Sequence, residues 1–440
     1  MNQITFTNQE STTVTAKQNG ETILETALQS SYPIFHECGG KARCTTCRIQ
    51  IIKGLSNVSE RNEREKLLAR RKGWDETIRL ACQTEVYGDI HVRKIIESKE
   101  EIFQILNEPK QSIPSEEIWL VVLFIDLKGF TEFSEKNYPH DIVHVLNRFF
   151  TMATEIILNN GGQIDKYIGD SVMAYYNPVS SDKDEMVINA LRSCFRIQDK
   201  MMEFNEFLQD RFQHTFNIRM GIHSGKVVMG EVGHPISRQV TIFGDTVNVA
   251  SRIESLNKVT GTNLLISKSS IASFQEKLKI KKRVKAKLRG KKISTVLYEV
   301  DGFEKDDFCY SLQKSFDVIL RNSSPFYTRF YQKLLERRPD FKNLFSNTNF
   351  DQQGEKLVSM IQYAIDRLAI LQKIKTELIN LGKRHVSYGV REEDYQDTGM
   401  VLLETLEESL GDEWTQNLKE NWQLAITEVA SLMIQGHKEI

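Results

Sequence analysis

Leu120 to Asp126 read LVVLFID, six apolar residues that end in a carboxylate. A short apolar run of this kind is typical of a buried strand. The following residues, Gly129, Phe130 and Thr131, open a segment in which apolar side chains recur at helical spacing. The stretch therefore predicts a strand followed by an amphipathic helix, with a carboxylate where the strand ends.

A second carboxylate takes the same place in the next part of the chain. The Gly-Gly pair at 161–162 breaks the helical pattern, residues 165–170 read DKYIGD, and a further strand begins at Ser171. Taken alone, Asp126 or Asp170 is more often a cap or a turn residue than a metal ligand. Two such carboxylates on neighbouring strand ends suit a pair of Mg²⁺ ions, because Mg²⁺ prefers oxygen and is often held by carboxylates together with substrate phosphates. The backbone amides at the helix start suit those phosphates.

Composition and length set limits on the whole chain. Its 440 residues suggest about three domains. The formal net charge is −1, so no basic excess indicates nucleic acid or anionic lipid, and neither a nucleic acid nor a membrane is expected as a partner. The N-terminus is polar and lacks the apolar core of a signal peptide, and the longest apolar run, Ile118 to Leu127, is too short to span a bilayer. We therefore expect a cytoplasmic protein.

Three segments differ in pattern and predict three domains. Residues 1–97 mix short strands with a cysteine-rich loop, residues 116–303 alternate strands and helices, and residues 308–437 are helical in pattern. Residues 98–115 are polar, contain two prolines and are predicted to be a linker.

Four of the six cysteines lie in the first 82 residues. Cys38, Cys44 and Cys47 share one tight loop, and Cys82 follows 35 positions later. In a cytosolic protein such a group indicates metal ligation rather than disulfides. Three thiolates in a loop plus one distant thiolate is a layout of iron–sulfur clusters. A structural zinc site, which more often has two separated pairs, is the alternative.

The sequence around these cysteines resembles 2Fe-2S ferredoxins over about 95 residues. The five-residue gap between Cys38 and Cys44 differs from the plant-type spacing and is closer to the adrenodoxin-like and bacterial branch. The resemblance implies an α+β β-grasp fold for residues 1–97. It also implies a 2Fe-2S cluster on all four cysteines that carries single electrons from a donor the sequence does not identify.

Four phrases between residues 117 and 303, VVLFIDLKGFT, IDKYIGDSVMA, RMGIHSGKVVMGEVG and FGDTVNVASRIE, resemble class III nucleotidyl cyclases. The resemblance implies an α/β catalytic domain with a ferredoxin-like βαββαβ core and two Mg²⁺ or Mn²⁺ ions per active site. The implied reaction is attack of the ribose 3′-oxygen on the α-phosphorus, with pyrophosphate leaving. Carried over position by position, the implied residues are Asp126 and Asp170 for the metals, Asn248 and Arg252 for catalysis, and Lys166, Thr241, Gly129, Phe130, Thr131 and Arg289 for substrate binding.

The same resemblance favours ATP as the substrate. An ammonium at Lys166 can donate to adenine N1, and the hydroxyl of Thr241 can accept from the N6 amino group. Guanylate cyclases usually have an acidic residue in place of this lysine. Many animal adenylate cyclases have Asp at position 241, whereas a large bacterial branch has Thr. We therefore expect an adenylate cyclase, with a guanylate cyclase as the alternative.

The active site of this family lies between two catalytic domains. One domain supplies the metal-binding carboxylates and the two residues that contact the base, here called the base readers. The other domain supplies the Asn and the Arg. This chain carries each set once, so the resemblance implies a head-to-tail homodimer through the cyclase domain with two equivalent sites. A single chain is then expected to be inactive, because separated halves cannot surround the transition state.

In the C-terminal segment, LGKRHVSYGV at 381–390 is followed by a helical pattern. A lone His in a helical domain is usually unremarkable, but residues 308–437 resemble bacterial haemoglobins and neuroglobin-like globins. The resemblance implies an all-α globin with haem b and His385 as the proximal iron ligand. Phe345 would pack on the porphyrin, and Tyr331 and Gln353 would lie at distal positions where both can donate to bound oxygen. Oxygen is thus the expected ligand, while nitric oxide and carbon monoxide remain alternatives.

The domain order suggests a cyclase for signal transduction that responds to haem ligand and redox state. The ferredoxin-type domain would reduce the haem iron or act as a second redox input. A rival hypothesis is a ferredoxin-fed globin for oxygen or nitric oxide chemistry, in which the cyclase fold only dimerises. The intact catalytic set argues against this rival.

Overall fold

The computed structural model describes residues 2–7, 11–16, 20–36, 39–40, 42, 45–96, 98, 116–177, 182–233, 238–291, 293–321, 323–345 and 349–438. The chain divides into two compact units, one made of residues 1–114 with 231–239, the other of residues 115–230 with 240–440. The predicted linker lies almost wholly outside the described residues, as do Cys38 and Cys44.

The first unit is a five-stranded sheet with two helices. The elements are β1 (Gln3–Thr7), β2 (Ser11–Thr15), α1 (Ile23–Gln29), β3 (Arg48–Lys53), α2 (Glu63–Lys72), β4 (Ile78–Leu80) and β5 (Ile90–Lys94). The sheet order is β2-β1-β5-β3-β4, with β1 parallel to β5. A capping box between Thr22 and Glu25 starts α1 by satisfying free backbone amides of the first turn. The predicted β-grasp architecture is confirmed.

The second unit contains an eight-stranded sheet. Its strands are β6 (Glu116–Lys128), β7 (Gly162–Ile168), β8 (Ser171–Tyr176), β9 (Asn217–Val232), β10 (Gln239–Phe243), β11 (Leu264–Ser267), β12 (Leu278–Ala286) and β13 (Thr295–Phe303). Seven of them run in the order β12-β13-β11-β9-β6-β8-β7, and β10 pairs with β9. The inner order β9-β6-β8-β7, with two helical crossovers, is the predicted βαββαβ core, which is thereby confirmed.

Five helices accompany this sheet: α3 (Phe130–Lys136), α4 (Pro139–Asn159), α5 (Lys183–Phe212), α6 (Asp245–Thr260) and α7 (Lys268–Ile271). Alternation along β6 sends its side chains to two cores. Val121 and Ile125 pack on the side of α4 and α5, whereas Val122 and Phe124 pack on the side of α6. Asp126 follows at the end of this buried run, so the core fixes the position of its carboxylate.

The last part of the second unit is all helical, as predicted. It consists of α8 (Phe308–Arg321), α9 (Ser323–Arg337), α10 (Phe350–Asp366), α11 (Lys375–Ser387), α12 (Asp394–Leu410) and α13 (Gln416–Lys438). Two glycines allow α11 and α13 to cross in backbone contact. A Cβ at Gly382 would lie 2.0 Å from the carbonyl oxygen of Met433, and one at Gly436 would lie 2.3 Å from that of Ile379. This close crossing holds α11, the helix that carries His385, against α13.

The helical domain packs through α8 against α5, a helix that covers the eight-stranded sheet, and we call this contact the joint. At the joint, Arg192 donates from Nε and Nη2 to the two carboxylate oxygens of Asp307, each at 2.8 Å. One turn later along α5, Arg196 forms a second bidentate ion pair, with Asp317. Tyr310 Oη donates to Asp199 at 2.9 Å. All of these contacts lie within the second unit, so α5 belongs both to the core beneath the eight-stranded sheet and to the joint.

Candidate functional site

Asp126 and Asp170 lie close together at one end of the sheet. Ser171 Oγ donates to Asp126 Oδ1 at 2.6 Å. Burial raises the pKa of Asp170, and the neighbouring charge of Asp126 raises it further, as expected for two carboxylates that share a site. This arrangement fits a Mg²⁺ or Mn²⁺ site, because the donors are hard oxygens and their mutual repulsion is relieved by a cation.

Two further charged residues surround this pair, and the sequence reasoning missed both. Arg219 lies opposite Asp126 on β9 and forms an ion pair with it. Glu254, on α6, lies 3.5 Å from Nε of Arg219. Burial, followed by the charge of Asp126, raises the pKa of Glu254 to about 7. The antiparallel pairing of RMGIH with LVVLFID could have indicated that Arg219 lies beside Asp126. The position of Glu254 depends on tertiary packing alone.

That packing depends on Gly221. A Cβ at this position would lie 2.3 Å from the backbone nitrogen of Glu254 and 2.8 Å from the carbonyl oxygen of Ala250. The absence of a side chain therefore lets α6 lie directly against β9. This contact brings Glu254 to the carboxylate pair.

Lys166 and Thr241 meet although 75 positions separate them in the sequence. Lys166 Nζ donates to Thr241 Oγ1 at 2.9 Å. Asp165 holds the pair in place: its Oδ2 accepts from Thr241 Oγ1 at 2.9 Å and lies 3.1 Å from Lys166 Nζ, while its Oδ1 accepts from the backbone of Ile242. Asp165 is a positioning residue that the sequence reasoning also missed. The predicted base readers thus form one polar group on β7 and β10.

Asn248 and Arg252 lie on a different face of the same domain. They are four residues apart on α6 and share one face, whereas Glu254 is rotated about 200° from Arg252. Glu254 points to the carboxylates of its own chain, so the Asn–Arg face points away from them. Among the described residues, no hydrogen bond or ion pair joins Asn248 or Arg252 to the metal carboxylates or the base readers.

Arg289 lies in the loop after β12, close to Arg252. A Cβ at the next residue, Gly290, would lie 3.5 Å from Nη1 of Arg252. Arg289 is exposed.

Gly129 has φ +95° and precedes α3, which begins at Phe130, so the predicted phosphate-binding amides of Gly129, Phe130 and Thr131 do stand at a helix start.

In the first unit, the two described cysteines of the predicted cluster lie together. Cys47 and Cys82 are buried, and their Sγ atoms are 3.4 Å apart. The hydrogen bond from Cys47 is the main cause that lowers the pKa of Cys82 to about 6. Gly39, Gly40 and Ala42, in the loop before Cys47, all have positive φ. A pair of buried, readily ionised thiols after a tightly turned loop fits a 2Fe-2S cluster.

The helical domain encloses a cavity of about 700 Å³, within the size range of cofactor sites. All four residues predicted for the haem line it: His385, Phe345, Tyr331 and Gln353. Most of the remaining lining is apolar and includes Leu334, Phe341, Trp422 and Met433. The size and lining fit a flat, largely apolar cofactor.

His385 is oriented for ligation inside this cavity. Its Nδ1 lies 2.9 Å from the carbonyl oxygen of Leu381, so the bonded tautomer carries hydrogen on Nδ1 and leaves Nε2 as the free base. Burial lowers the pKa of His385, which favours the neutral imidazole that a metal requires. Burial also raises the pKa of Tyr331 to about 12, so its hydroxyl stays a donor at neutral pH. The residues present therefore fit haem.

Three family models match successive parts of the chain. Residues 6–87 match the 2Fe-2S iron-sulfur cluster binding domain, residues 114–302 the adenylate and guanylate cyclase catalytic domain, and residues 328–433 the globin. The chain therefore contains a ferredoxin-type domain, a cyclase catalytic domain and a globin domain.

Known proteins resemble the cyclase part. Adenylate cyclase 1 of Rhizobium meliloti (strain 1021) is 33% identical over 183 residues, which are 42% of this chain and 27% of that protein. Adenylate cyclase of Anabaena cylindrica is 37% identical over 191 residues, 41% of this chain and 36% of that protein. The receptor-type guanylate cyclase gcy-13 of Caenorhabditis elegans is 34% identical over 139 residues, 32% of this chain and 13% of that protein. The chain thus spans about a third or less of the length of these relatives.

Solved structures of two cyclases also match. The adenylyl cyclase CyaB from P. aeruginosa is 26% identical, with a TM-score of 0.41, and the match covers 44% of this chain and 100% of that chain. The guanylyl cyclase Cya2 is 25% identical, with a TM-score of 0.40, over 43% of this chain and 95% of that chain.

Among the helices in the described ranges, none has both the length and the apolar character needed to cross a bilayer.

Proposed function

We propose that the protein is an adenylate cyclase that converts ATP to 3′,5′-cyclic AMP and pyrophosphate. The contact between Lys166 and Thr241 carries this proposal, since it presents a donor and an acceptor side by side. The Watson–Crick edge of adenine offers the matching acceptor at N1 and donor at N6. Guanine offers a donor at N1 and an acceptor at O6, which this pair matches in neither position.

The remaining residues define what the protein does to the nucleotide. Asp126 and Asp170 would hold two Mg²⁺ or Mn²⁺ ions, which supply Lewis-acid activation of the 3′-hydroxyl and charge neutralisation on the phosphates when bound. Arg219, which forms an ion pair with Asp126, would add positive charge beside the same phosphates. Arg289 would contact the terminal phosphates. Arg252 would stabilise the charge that develops on the α-phosphoryl group, and Asn248 would orient the ribose.

We further propose that two chains form each active site. The face of α6 that carries Asn248 and Arg252 points away from the carboxylates of its own chain, so one chain cannot supply both halves of a site. Exposed apolar side chains lie beside the base readers, at Ile168, Val240 and Phe243. Such side chains next to a polar site suit a protein interface. A head-to-tail homodimer covers them and brings the partner's α6 to the nucleotide.

Regulation by the globin is proposed to pass through the joint. Trp422 lines the haem cavity and donates from Nε1 to Ser315 Oγ at 3.1 Å, and its ring centroid lies 6.0 Å from that of Phe316. Both contacts are on α8, next to Asp317, which pairs with Arg196 of the cyclase domain. Oxygen is the ligand we propose for the haem, since Tyr331 can donate to it. Electrons from the ferredoxin-type cluster would set the oxidation state of the haem or act as a separate signal.

Product chromatography after incubation with ATP or GTP tests the nucleotide. We expect cyclic AMP from ATP with either Mg²⁺ or Mn²⁺, and at most a trace of cyclic GMP from GTP. Cyclic GMP as the main product would replace the proposal by a guanylate cyclase. Steady consumption of oxygen or nitric oxide with no cyclic nucleotide would favour the ferredoxin-fed globin instead.

Mixing two inactive variants tests the shared site. Asp170→Ala and Arg252→Ala should each abolish product. Random exchange of chains makes half of the dimers mixed, and each mixed dimer has one intact site of two, so about a quarter of the wild-type activity should return. No recovery after chain exchange has been verified would contradict the two-chain site.

A further inference from the structure

The most basic part of the chain lies on an edge of the cyclase sheet and is not explained by the proposed catalysis. Residues 277–292 read KLKIKKRVKAKLRGKK and hold ten of the 58 basic residues of the chain and none of its 59 acidic ones. Most of this segment is β12, the edge strand of the eight-stranded sheet. The near-neutral net charge of the whole chain therefore conceals a strongly basic edge.

We define the basic edge as Lys279, Lys281, Lys282, Arg283 and Lys285, which are all exposed. Lys282 Nζ donates to the backbone oxygen of Thr260 at 2.8 Å. The other four form no ion pair within the described part of the chain. Lysines on an edge strand also discourage edge-to-edge pairing of sheets, but one or two charges suffice for that purpose. The five cations of the basic edge are more than this purpose requires.

Two exposed aliphatic side chains lie near the basic edge. Val259 is 82% exposed and directly precedes Thr260, the residue that Lys282 contacts. Ile293, in the loop that follows β12, is also 82% exposed. Nucleic acid or an acidic protein segment offers no apolar environment for these two aliphatic side chains. A bilayer offers one, because aliphatic side chains can enter the region between headgroups while the lysines remain among the phosphates.

We propose that the basic edge docks the protein on a membrane surface rich in anionic lipid headgroups. The attraction is electrostatic and extends over about one Debye length, about 10 Å at 0.1 M salt. Val259 and Ile293 add a small apolar contribution. The residues of the basic edge belong to neither the metal site nor the base-reading pair. Docking is thus independent of the cyclase activity, and each can fail without the other.

Co-sedimentation of the full chain with vesicles tests the proposal, without nucleotide. We expect binding to vesicles of phosphatidylcholine mixed with phosphatidylglycerol, little binding to phosphatidylcholine alone, and release at high salt. Lys279→Gln/Lys281→Gln/Arg283→Gln should weaken binding about a hundred-fold, since each basic residue near an anionic surface contributes about a factor of five. Val259→Asn/Ile293→Asn should weaken it several-fold and leave the salt dependence unchanged.

The matched control removes three exposed basic residues outside the basic edge, as Lys305→Gln/Lys342→Gln/Lys373→Gln. It should bind the anionic vesicles as the wild type does. Equal weakening by this control would show a general charge effect and overturn the proposal. So would retention of a nucleic acid probe by the wild type together with no binding to anionic vesicles. Cyclic nucleotide formation by the basic-edge variant confirms that it is folded.

Discussion

The joint between the globin and cyclase domains provides the sharpest test of how this protein is assembled. Asp317 is the sole acceptor for Nη1 and Nη2 of Arg196 among the described residues, and it also lies 3.1 Å from Lys200 Nζ. Asp317→Asn keeps the shape of the side chain and removes its charge. The variant therefore leaves a buried guanidinium without its paired carboxylate.

The structure sets the size of the effect. The side chains of Arg196 and Asp317 are only 6% and 11% exposed, so solvent screens the pair little. Removal of one partner from a buried pair costs about 3–5 kcal/mol. Asp366 lies near Arg196 and supplies part of the missing charge, which favours the lower end. We expect the free energy of opening the joint to fall by about 3 kcal/mol, which corresponds to a factor of about 150 in the open population.

Amide hydrogen exchange measures this population directly. Protection of α8 and the adjoining turns of α5 should fall by about two orders of magnitude, while the sheet strand β6 should keep its protection. The matched control is Arg321→Gln, which removes an exposed pair to Glu203 at 3.8 Å in the same joint. An exposed pair of this kind is worth at most about 1 kcal/mol. Unchanged exchange in Asp317→Asn, or equal loss of protection in both variants, would refute the reasoning.

Four shorter predictions follow from other contacts. Lys166→Ala should lower kcat/KM for ATP by about 10- to 100-fold, because one charged hydrogen bond to the base is lost, and steady-state kinetics with both nucleotides checks this. His385→Ala should remove the haem absorption band and leave basal cyclic nucleotide formation. Gly221→Ala should destabilise the cyclase domain by about 2 kcal/mol or more, seen as a lower Tm, because the new methyl meets backbone atoms of α6 that cannot yield. The difference in joint protection between wild type and Asp317→Asn should be full at neutral pH and shrink in acid.

The sign of that last effect follows from the pKa of Asp317. Burial alone would raise this pKa, but the hydrogen bond and charge of Arg196 outweigh burial and hold it below its usual range. A depressed carboxyl pKa stabilises the folded form at every pH above the unfolded value of about 3.9. The contribution is lost as the pH falls through the folded pKa. Exchange measured between pH 7 and pH 3 should therefore show a constant difference between the two proteins down to about pH 4 and a shrinking difference below it.

The three folds were implied by resemblance to known families, whereas the strand before Asp126 and the helix after Gly129 were predicted from patterns that act locally. The apolar run before Asp126 makes a central strand wherever it is placed, and the helical spacing after Gly129 makes a helix that covers it. The proximity of His385 to Phe345, Tyr331 and Gln353 was equally predictable from the globin resemblance, and the shared cavity agrees with it. The individual roles of the site residues remain predictions.

What the sequence could not predict depends on packing between distant segments. Arg192, Arg196 and Lys200 recur every four residues on α5, a spacing that a solvated helix face shows as well. Only the docking of α8 makes this row part of a buried contact. Glu254 likewise joins the carboxylate pair because Gly221 lets two backbones touch. Neither feature has a local sequence signature.

The joint also limits how strongly the haem can control the cyclase. A ligand shifts an equilibrium only by the difference in its interaction free energy with the two states. If the globin acts through the Arg196–Asp317 pair alone, that difference cannot exceed what this pair supplies. With about 3 kcal/mol from the Arg196–Asp317 pair, the activity ratio between two haem states through this pair is at most about 150-fold. Asp317→Asn should bring the ratio close to one while basal turnover persists. A ratio that survives this variant would mean that the signal reaches the active site through other contacts of α8 or through the ferredoxin-type domain.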